Sequence, residues 1–288
     1  MLQPTQPYPI VKFSQSNQTE HKDFVVTEEP LEVWLSAHPS SAPELLFTTM
    51  RTPGDDLNLV KGWLFSSSVI QHSAQIAEIK HIGTGRLKSQ STNRVQVNLN
   101  DVVNFDVAAF KRVEVMNSAC GVCGQQSIEN LLEKLTLTSN NTEHAPFLNA
   151  TAIDSLTQQL RDMQKHFAQT GGIHGVGLFD QQLQMLDVRE DIGRHNAFDK
   201  LLGANLPKLM NKHHHNQLIL GVVLSSRASF ELIQKAAVAG IQYIIALGAP
   251  SSLAIDLAKD CDICLIGFVK SSHQVIEFNV YSSPHLLA

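Results

Sequence analysis

Leu218-Ile219-Leu220-Gly221-Val222-Val223-Leu224 is an unbroken apolar run of strand length. A strand with one wet face alternates, so a continuous run marks a strand covered on both faces. Working outward, Phe230 to Ala239 reads as a helix stopped by Gly240. Tyr243-Ile244-Ile245-Ala246-Leu247 is a second buried strand, Ser252 to Lys259 a short helix, and Ile263 to Phe268 a third strand. That rhythm predicts an α/β fold with a parallel or mixed sheet. Upstream, Ile153, Leu156, Leu160, Met163 and Phe167 step by three or four, which predicts a helix, with Thr151 and Asp154 as its capping box.

The first half is built of shorter pieces. Glu32 to Leu35, Glu44 to Phe47, Arg94 to Leu99 and Lys111 to Met116 read as strands. Thr52-Pro53-Gly54-Asp55-Asp56 punctuates them, and Asp55 or Asp56 is placed to cap a helix carrying Leu59, Val60, Trp63 and Leu64. A further helix from Gln125 carries Ile128, Leu131, Leu132 and Leu135. Residues 1–20, rich in Pro, Gln, Ser and Thr, read as a flexible tail. Ser139 to Pro146 reads as a polar linker, and His213-His214-His215 as a solvated loop. The expected division is therefore a tail over 1–20, a smaller N-terminal α+β region over 21–145 ending in a Cys-x-x-Cys loop and its helix, and an α/β domain over 146–288.

The 288 residues are 43% hydrophobic and 17% charged, an ordinary globular balance that argues against disorder as a whole. A formal net charge of −5 argues against a protein whose main task is gripping duplex nucleic acid. Four cysteines are too few for a disulfide scaffold. Met1 to Pro7 has no basic or apolar leader pattern, and no apolar run is long enough to span a membrane. The expectation is a soluble cytoplasmic protein without membrane or nucleic-acid partners.

Cys120-Gly121-Val122-Cys123-Gly124 carries the sharpest chemical signal. Glycines on both sides of Val122 free the backbone and leave the thiols unshielded. Cys123 precedes a predicted helix, whose positive N-terminal end favours thiolate over thiol. Three chemistries use such a pair: thiol–disulfide exchange, half of a zinc site, or sulfur carriage as a persulfide. Thioredoxin-type loops carry an aromatic before the first Cys and a Pro between, and neither is here. The other donors for zinc, Cys261 and Cys264, fall three apart at a strand start and point to opposite faces. Cys264 reads more simply as a buried apolar residue. Redox and sulfur transfer stand level on the residues alone.

The second half carries an anion-binding pattern. Thr170-Gly171-Gly172-Ile173-His174-Gly175 is glycine-dense before a strand. On a helix from Gly193, His195 and Asp199 fall at i and i+4, as do Asn196 and Lys200. Ser225-Ser226-Arg227-Ala228-Ser229 and Gly248-Ala249-Pro250-Ser251-Ser252 each end a buried strand and open a helix. In open α/β sheets ligands sit outside the carboxyl ends of the strands, where helix N-termini, serines and an arginine cradle phosphate. Arg189, Arg194 and Arg227 are the basic residues at hand. Ser229 and Ser252 also read as plain helix caps. Neither a P-loop nor a G-x-G-x-x-G is present.

Taken in order, these blocks resemble the FdhD family of formate dehydrogenase accessory sulfurtransferases, from about Glu29 to Tyr281. The resemblance is carried by Thr52 to Asp56 with Gly62-Trp63-Leu64-Phe65, by Cys120 to Gly124, by Thr170 to His174, and by Glu190 to Gly203. It continues in Ser225 to Glu231 and in Gly248 to Ala254. It implies a sulfur carrier that takes sulfur from a cysteine desulfurase as a cysteine persulfide. The recipient it implies is the molybdenum or tungsten bis-guanine-dinucleotide cofactor, bound as substrate before insertion into formate dehydrogenase. A guanine nucleotide is then a natural occupant of the site. It implies a cytidine-deaminase-like C-terminal α/β domain with a mixed sheet, a smaller α+β N-terminal region, and a homodimer. Cys120 becomes the persulfide carrier and Cys123 its helper.

By the same resemblance the cofactor is contacted by Phe268, Val269, Lys270, Ser271, Ser272 and His273, beside Gly172, His174, Arg194, His195, Arg227 and Ser229. Ser271-Ser272-His273 departs from the Gly and Arg that family members often carry, while Lys270 keeps a positive charge. The H-x-E and P-C-x-x-C signature of zinc deaminases is absent, since Ala119 precedes Cys120, so no catalytic zinc or other metal ligand is expected. A thiol–disulfide oxidoreductase and a non-catalytic cofactor chaperone are the alternatives.

Overall fold

The computed structural model describes residues 3–14, 17–37, 41–83, 92–100, 103, 105, 148–210, 219–272 and 275–288. The Cys120–Cys123 loop, the strand at Lys111, the helix from Gln125, the linker over Ser139 to Pro146, the His213–His215 run and His273 all lie outside the described residues.

Strands β1 (Thr5–Ser14) and β2 (Asn17–Val26) form an antiparallel hairpin, so the residues read as a tail pair with each other from end to end. Pro7 and Pro9 look like breakers in sequence. An antiparallel ladder asks only every second residue to donate, so two prolines spaced by two are tolerated on one edge. β3 (Glu29–Ser36), β4 (Glu44–Arg51), β5 (Ile76–His81) and β6 (Arg94–Leu99) form a four-stranded sheet in the order β4-β3-β6-β5. Its one parallel pair, β3 with β6, is the central one.

Helix α1 (Asp56–Ser66) follows β4 and buries Leu59, Val60 and Leu64 as its period demands. Asp55 is its N-cap, but in a left-handed conformation and with no side-chain cap bond. Its carboxylate instead accepts from Asn58 and pairs with Arg189.

The second half begins with α2 (Ala150–Met163) and α3 (Lys165–Thr170). The predicted single helix through Phe167 is broken at Gln164, and Met163 and Phe167 are exposed. Both oxygens of Glu190 accept backbone N–H groups at the start of α3, from His166 and Phe167, which restarts the helix on a new axis. Asn149, not the Thr151–Asp154 pair, caps α2 through the amide of Ala152.

Then follow β7 (His174–Asp180), β8 (Met185–Asp191), α4 (Arg194–Met210), β9 (Ile219–Leu224), α5 (Phe230–Val238), β10 (Tyr243–Ala246), α6 (Ser252–Asp260), β11 (Cys264–Ser272) and β12 (Val275–Ser282). The sheet order is β12-β11-β10-β9-β7-β8. β9, β10 and β11 are parallel, and β7, β8 and β12 are antiparallel to their neighbours, so the fold is mixed α/β.

Both faces of this sheet are covered, as the apolar runs require. Leu220, Val223, Tyr243, Ile245 and Cys264 pack against Ile153, Leu156 and Leu160 of α2. Val222, Leu224, Ile244, Ala246 and Leu265 join α4, α5 and α6 on the other side. That second cluster continues without a break into α1, β3 and β6, so the four-stranded sheet shares its core with the larger one. The weld is the crossing of α1 and α4. A Cβ on Gly203 would overlap the carbonyl oxygen of Asn58, and one on Gly62 would overlap that of Asp199. Only glycine at both positions lets the backbones approach this closely.

Among the described residues no helix is long and apolar enough to cross a membrane.

Candidate anion-binding site at the carboxyl edge of the sheet

The ends of β9 and β10 lie side by side, and the chain leaves both toward helices. Antiparallel β7 brings its first residue to the same edge: Ser225 N–H donates to Gly175 O at 3.0 Å, and Ser225 Oγ accepts from Gly175 N–H at 2.9 Å. The next loop is stitched to the first, with Gly248 N–H on Ser226 O and Ser251 N–H on Ala228 O. A Cβ on Gly248 would stand 3.0 Å from the backbone nitrogen of Arg227, so glycine sets the spacing of the two loops. Helix α4 starts from the end of β8, which pairs with His174, and thereby delivers Arg194 to the same place.

The result is a cavity of about 330 Å³ lined by His174, Arg194, Ser225, Ser226, Arg227, Leu247 and Gly248. Arg194 Nε is buried there and has no hydrogen-bond partner among the described residues. A buried guanidinium nitrogen without an acceptor is costly unless a ligand supplies one.

The local field is positive. Burial lowers the His174 pKa, and Arg194 and Arg227 lower it further against the opposing Asp191. Burial pushes His195 down to about 4, against Glu231 and with help from Arg194, Lys235 and His174. Two imidazoles held neutral beside two guanidiniums make a site that favours an anion.

A larger cavity, about 510 Å³, lies between the Thr52–Asp55 turn, β8 and the α2–α3 junction. Most of its charges already have partners. Arg189 pairs with Asp55 and Asp187, Glu190 holds the α3 amides, and Lys200 pairs with Asp191 at 2.7 Å. Arg189, grouped in sequence with Arg194 and Arg227, therefore belongs to the other cavity.

The other expected residues separate in the same way. His195 Nε2 lies 3.0 Å from Ser229 Oγ, two residues past Arg227, and neither His195 nor Ser229 lines the cavity. Ser229 is the N-cap residue of α5 but makes no side-chain cap bond, whereas Ser251, not Ser252, caps α6 through Ala254 N–H. Asp199 and Lys200 turn inward. Asp199 meets Lys235 Nζ and Ser66 Oγ, each at 2.9 Å, and burial pushes its pKa up to about 6 against Lys235. Asn196 donates to Met50 O. These side chains hold α4 to α5, α1 and β4 and are not a solvated face.

Phe268 is exposed with φ of 55°, a strained conformation for a bulky residue, and its N–H donates to Gly248 O at the lip of the cavity. The side chain of Val269 is buried in the core on the α2 side, so only its backbone is available to a ligand. Lys270 and Ser271 are exposed on β11 opposite Glu277 and Ile276, past a bulge at Gly267 to Lys270, and Ser272 pairs with Val275. Gly172 lies against Val26, outside the cavity lining. Sequence reasoning missed Glu231 and Lys235, whose i, i+4 spacing on α5 was the available signal. Cys261 and Cys264 are the free cysteines among the described residues; burial pushes them to about 11 and about 12, so they are inert thiols.

Fold and edge define a mixed α/β protein with an arginine-lined cavity at the carboxyl ends of parallel strands. The model of the FdhD/NarQ family matches residues 26–288. A sulfur carrier protein FdhD from Streptomyces avermitilis is 35% identical over 280 residues, 97% of this chain and 94% of that protein. One from Corynebacterium efficiens is 38% identical over 266 residues, 90% of this chain and 89% of that protein. The chain belongs to the FdhD/NarQ family. A crystal structure from Desulfotalea psychrophila, presented as that of a candidate formate dehydrogenase accessory protein, shares the fold. Its TM-score is 0.67 at 22% identity, covering 99% of each chain.

Proposed function

We propose that this protein carries sulfur as a persulfide on Cys120 and delivers it to a molybdenum bis-guanine-dinucleotide cofactor, its bound substrate, for use by formate dehydrogenase. The observation that carries the reading is the buried Arg194 Nε, without a partner among the described residues, in a positive cavity, in a chain whose relatives are sulfur carrier proteins. A dinucleotide pyrophosphate offers the acceptors this cavity lacks. Arg194, Arg227, the serine loop and the neutral His174 hold it, and the exposed Phe268 at the lip offers a face for a guanine ring.

Loading requires a thiolate. The Cys120 thiolate attacks the terminal sulfur of a cysteine desulfurase persulfide, a new S–S bond forms, the donor's S–S bond breaks, and the donor leaves as its own thiolate. Cys123 is placed in sequence to assist release. Its thiolate attacks the Cys120 sulfur, hydrosulfide departs, and a Cys120–Cys123 disulfide remains for reduction. The same reading takes the protein as a cytoplasmic homodimer.

Intact-protein mass spectrometry after incubation with a cysteine desulfurase and cysteine tests it. The expected result is a reductant-labile gain of one sulfur atom on wild type that is absent in Cys120→Ala. No gain with an active desulfurase, or a gain that Cys120→Ala retains, overturns the carrier role of Cys120.

A further inference from the structure

His195 does not line the cavity, yet it makes a hydrogen bond to Ser229, which follows the lining residue Arg227 by two positions at the start of α5. Its Nε2 faces two oxygens: Ser229 Oγ at 3.0 Å and the Glu231 carboxylate at 3.6 Å. Glu231 in turn lies 3.6 Å from Lys235, which is held by Asp199 at 2.9 Å. A neutral imidazole has one N–H, and its position decides which way a bonded hydroxyl points. A bare Nε2 lone pair directed at a carboxylate is repelled, so the carboxylate selects the tautomer with hydrogen on Nε2. Ser229 Oγ is then an acceptor from His195. Its own proton is free of both the imidazole and the usual duty of a helix cap, since Ser229 makes no side-chain cap bond.

We propose that His195 is a positioning residue for the nucleotide: Glu231 fixes its Nε2–H tautomer, that N–H is donated to Ser229, and Ser229 thereby directs its hydroxyl proton to a phosphate oxygen. The proposal rests on the nucleotide reading above and deepens it. The neutrality of the ring, caused first by burial and then by Arg194, Lys235 and His174 against Glu231, is what leaves a single N–H to be placed. Without the relay, Ser229 could donate to His195 and present only lone pairs to an incoming phosphate, which would repel it.

GDP binding by calorimetry in a double-mutant cycle tests this, with thermal unfolding of each variant as the control for folding. Ser229→Ala weakens GDP binding about tenfold, the worth of one hydrogen bond to a charged group. His195→Ala, which leaves the hydroxyl present but undirected, weakens it by a smaller factor, and the double variant binds no more weakly than Ser229→Ala alone, because the histidine acts only through the hydroxyl. His195→Gln, which restores an N–H donor, and Ser229→Thr, which restores the hydroxyl, recover most of the affinity. A general structural role for His195 would not produce this coupling or this rescue. Losses that multiply in the double variant, or GDP binding that Ser229→Ala leaves unchanged, overturn the relay alone. Failure of wild type to bind GDP removes the nucleotide reading, and the relay with it.

Discussion

Gly203→Ala is the substitution whose effect follows most directly from the geometry. In an open helix this change stabilises, because alanine is about 1 kcal/mol better than glycine in a helix interior. Here the added Cβ would stand 2.8 Å from Gly62 N and would overlap Asn58 O outright. Carbon makes its best contacts at about 3.5–4.0 Å, so α1 and α4 must part by about an ångström. The obstacle is backbone on both sides, which cannot rotate aside as a flexible side chain does. Overpacking of this kind costs about 3 kcal/mol, the upper end of the usual range, and the helix-propensity gain offsets about one of these. The expected net loss is about 2 kcal/mol. Urea unfolding checks it as a lower midpoint with an unchanged slope, since the surface exposed on unfolding is the same. A neutral or stabilised Gly203→Ala protein would refute the claim that the crossing is closed by contact between backbones. The consequence extends to function, because the helix that must move carries Arg194 and His195 at its start.

Three further outcomes are expected. Arg194→Ala and Arg227→Ala each weaken GDP binding roughly ten- to a hundredfold by removing a charge-assisted bond, while Arg189→Ala, whose guanidinium serves Asp55 and Asp187, lowers stability and leaves the calorimetric affinity unchanged. The folded-state pKa of His195 is lowered to about 4 from 6.5, so on acidification the unfolded chain takes the proton first; stability is fully present above pH 6.5 and falls as pH drops toward about 4. The loss is of order 1–2 kcal/mol once solvent screening of a partly exposed ring is allowed for. Subtracting the denaturant-unfolding profile of His195→Gln isolates it from Asp199, whose raised pKa acts in the opposite sense. Finally, native alkylation at pH 7.5 followed by peptide mapping finds Cys261 and Cys264 labelled far more slowly than after unfolding, because their thiolates are suppressed.

The parts of the fold that were legible in sequence are those decided by burial alone. β9 and β10 are apolar throughout because α2 covers one face and α4, α5 and α6 the other, and no further knowledge is needed to read such a run. The hairpin of β1 and β2 was not legible, because its exposed residues leave no burial pattern and its prolines sit where the ladder needs no donor. The break at Gln164 was hidden for a different reason. Leu160, Met163 and Phe167 remain in helical phase, but the carboxylate that reorganises the chain there belongs to Glu190, on a strand formed later in the sequence. Local periodicity carries no record of such a partner. That the strand-end loops at Ser225 and Gly248 meet at one cavity was legible because topology alone places them together.

What could not be read was which charged residues of the Glu190-to-Gly203 block serve the ligand and which serve the fold. All lie within a few turns of one another, and their chemistry is the same in kind. The difference is where each partner comes from. Arg194 and His195 begin α4 at the sheet edge, where Arg194 Nε has no described partner and His195 meets Ser229 two residues past Arg227. One turn further on, Asp199 and Lys200 find Lys235, Ser66, Asp191 and Thr52 in the interior. Gly203, another turn along, admits α1. One helix therefore anchors the fold with its middle and, on the proposed reading, offers its first turn to the ligand. Replacing Asp199 or Lys200 leaves a buried opposite charge unpaired and costs about 3–5 kcal/mol, which acts on stability first. Replacing Arg194 leaves no buried charge behind and acts on affinity. The block separates into two functions only when stability and binding are measured on the same variants.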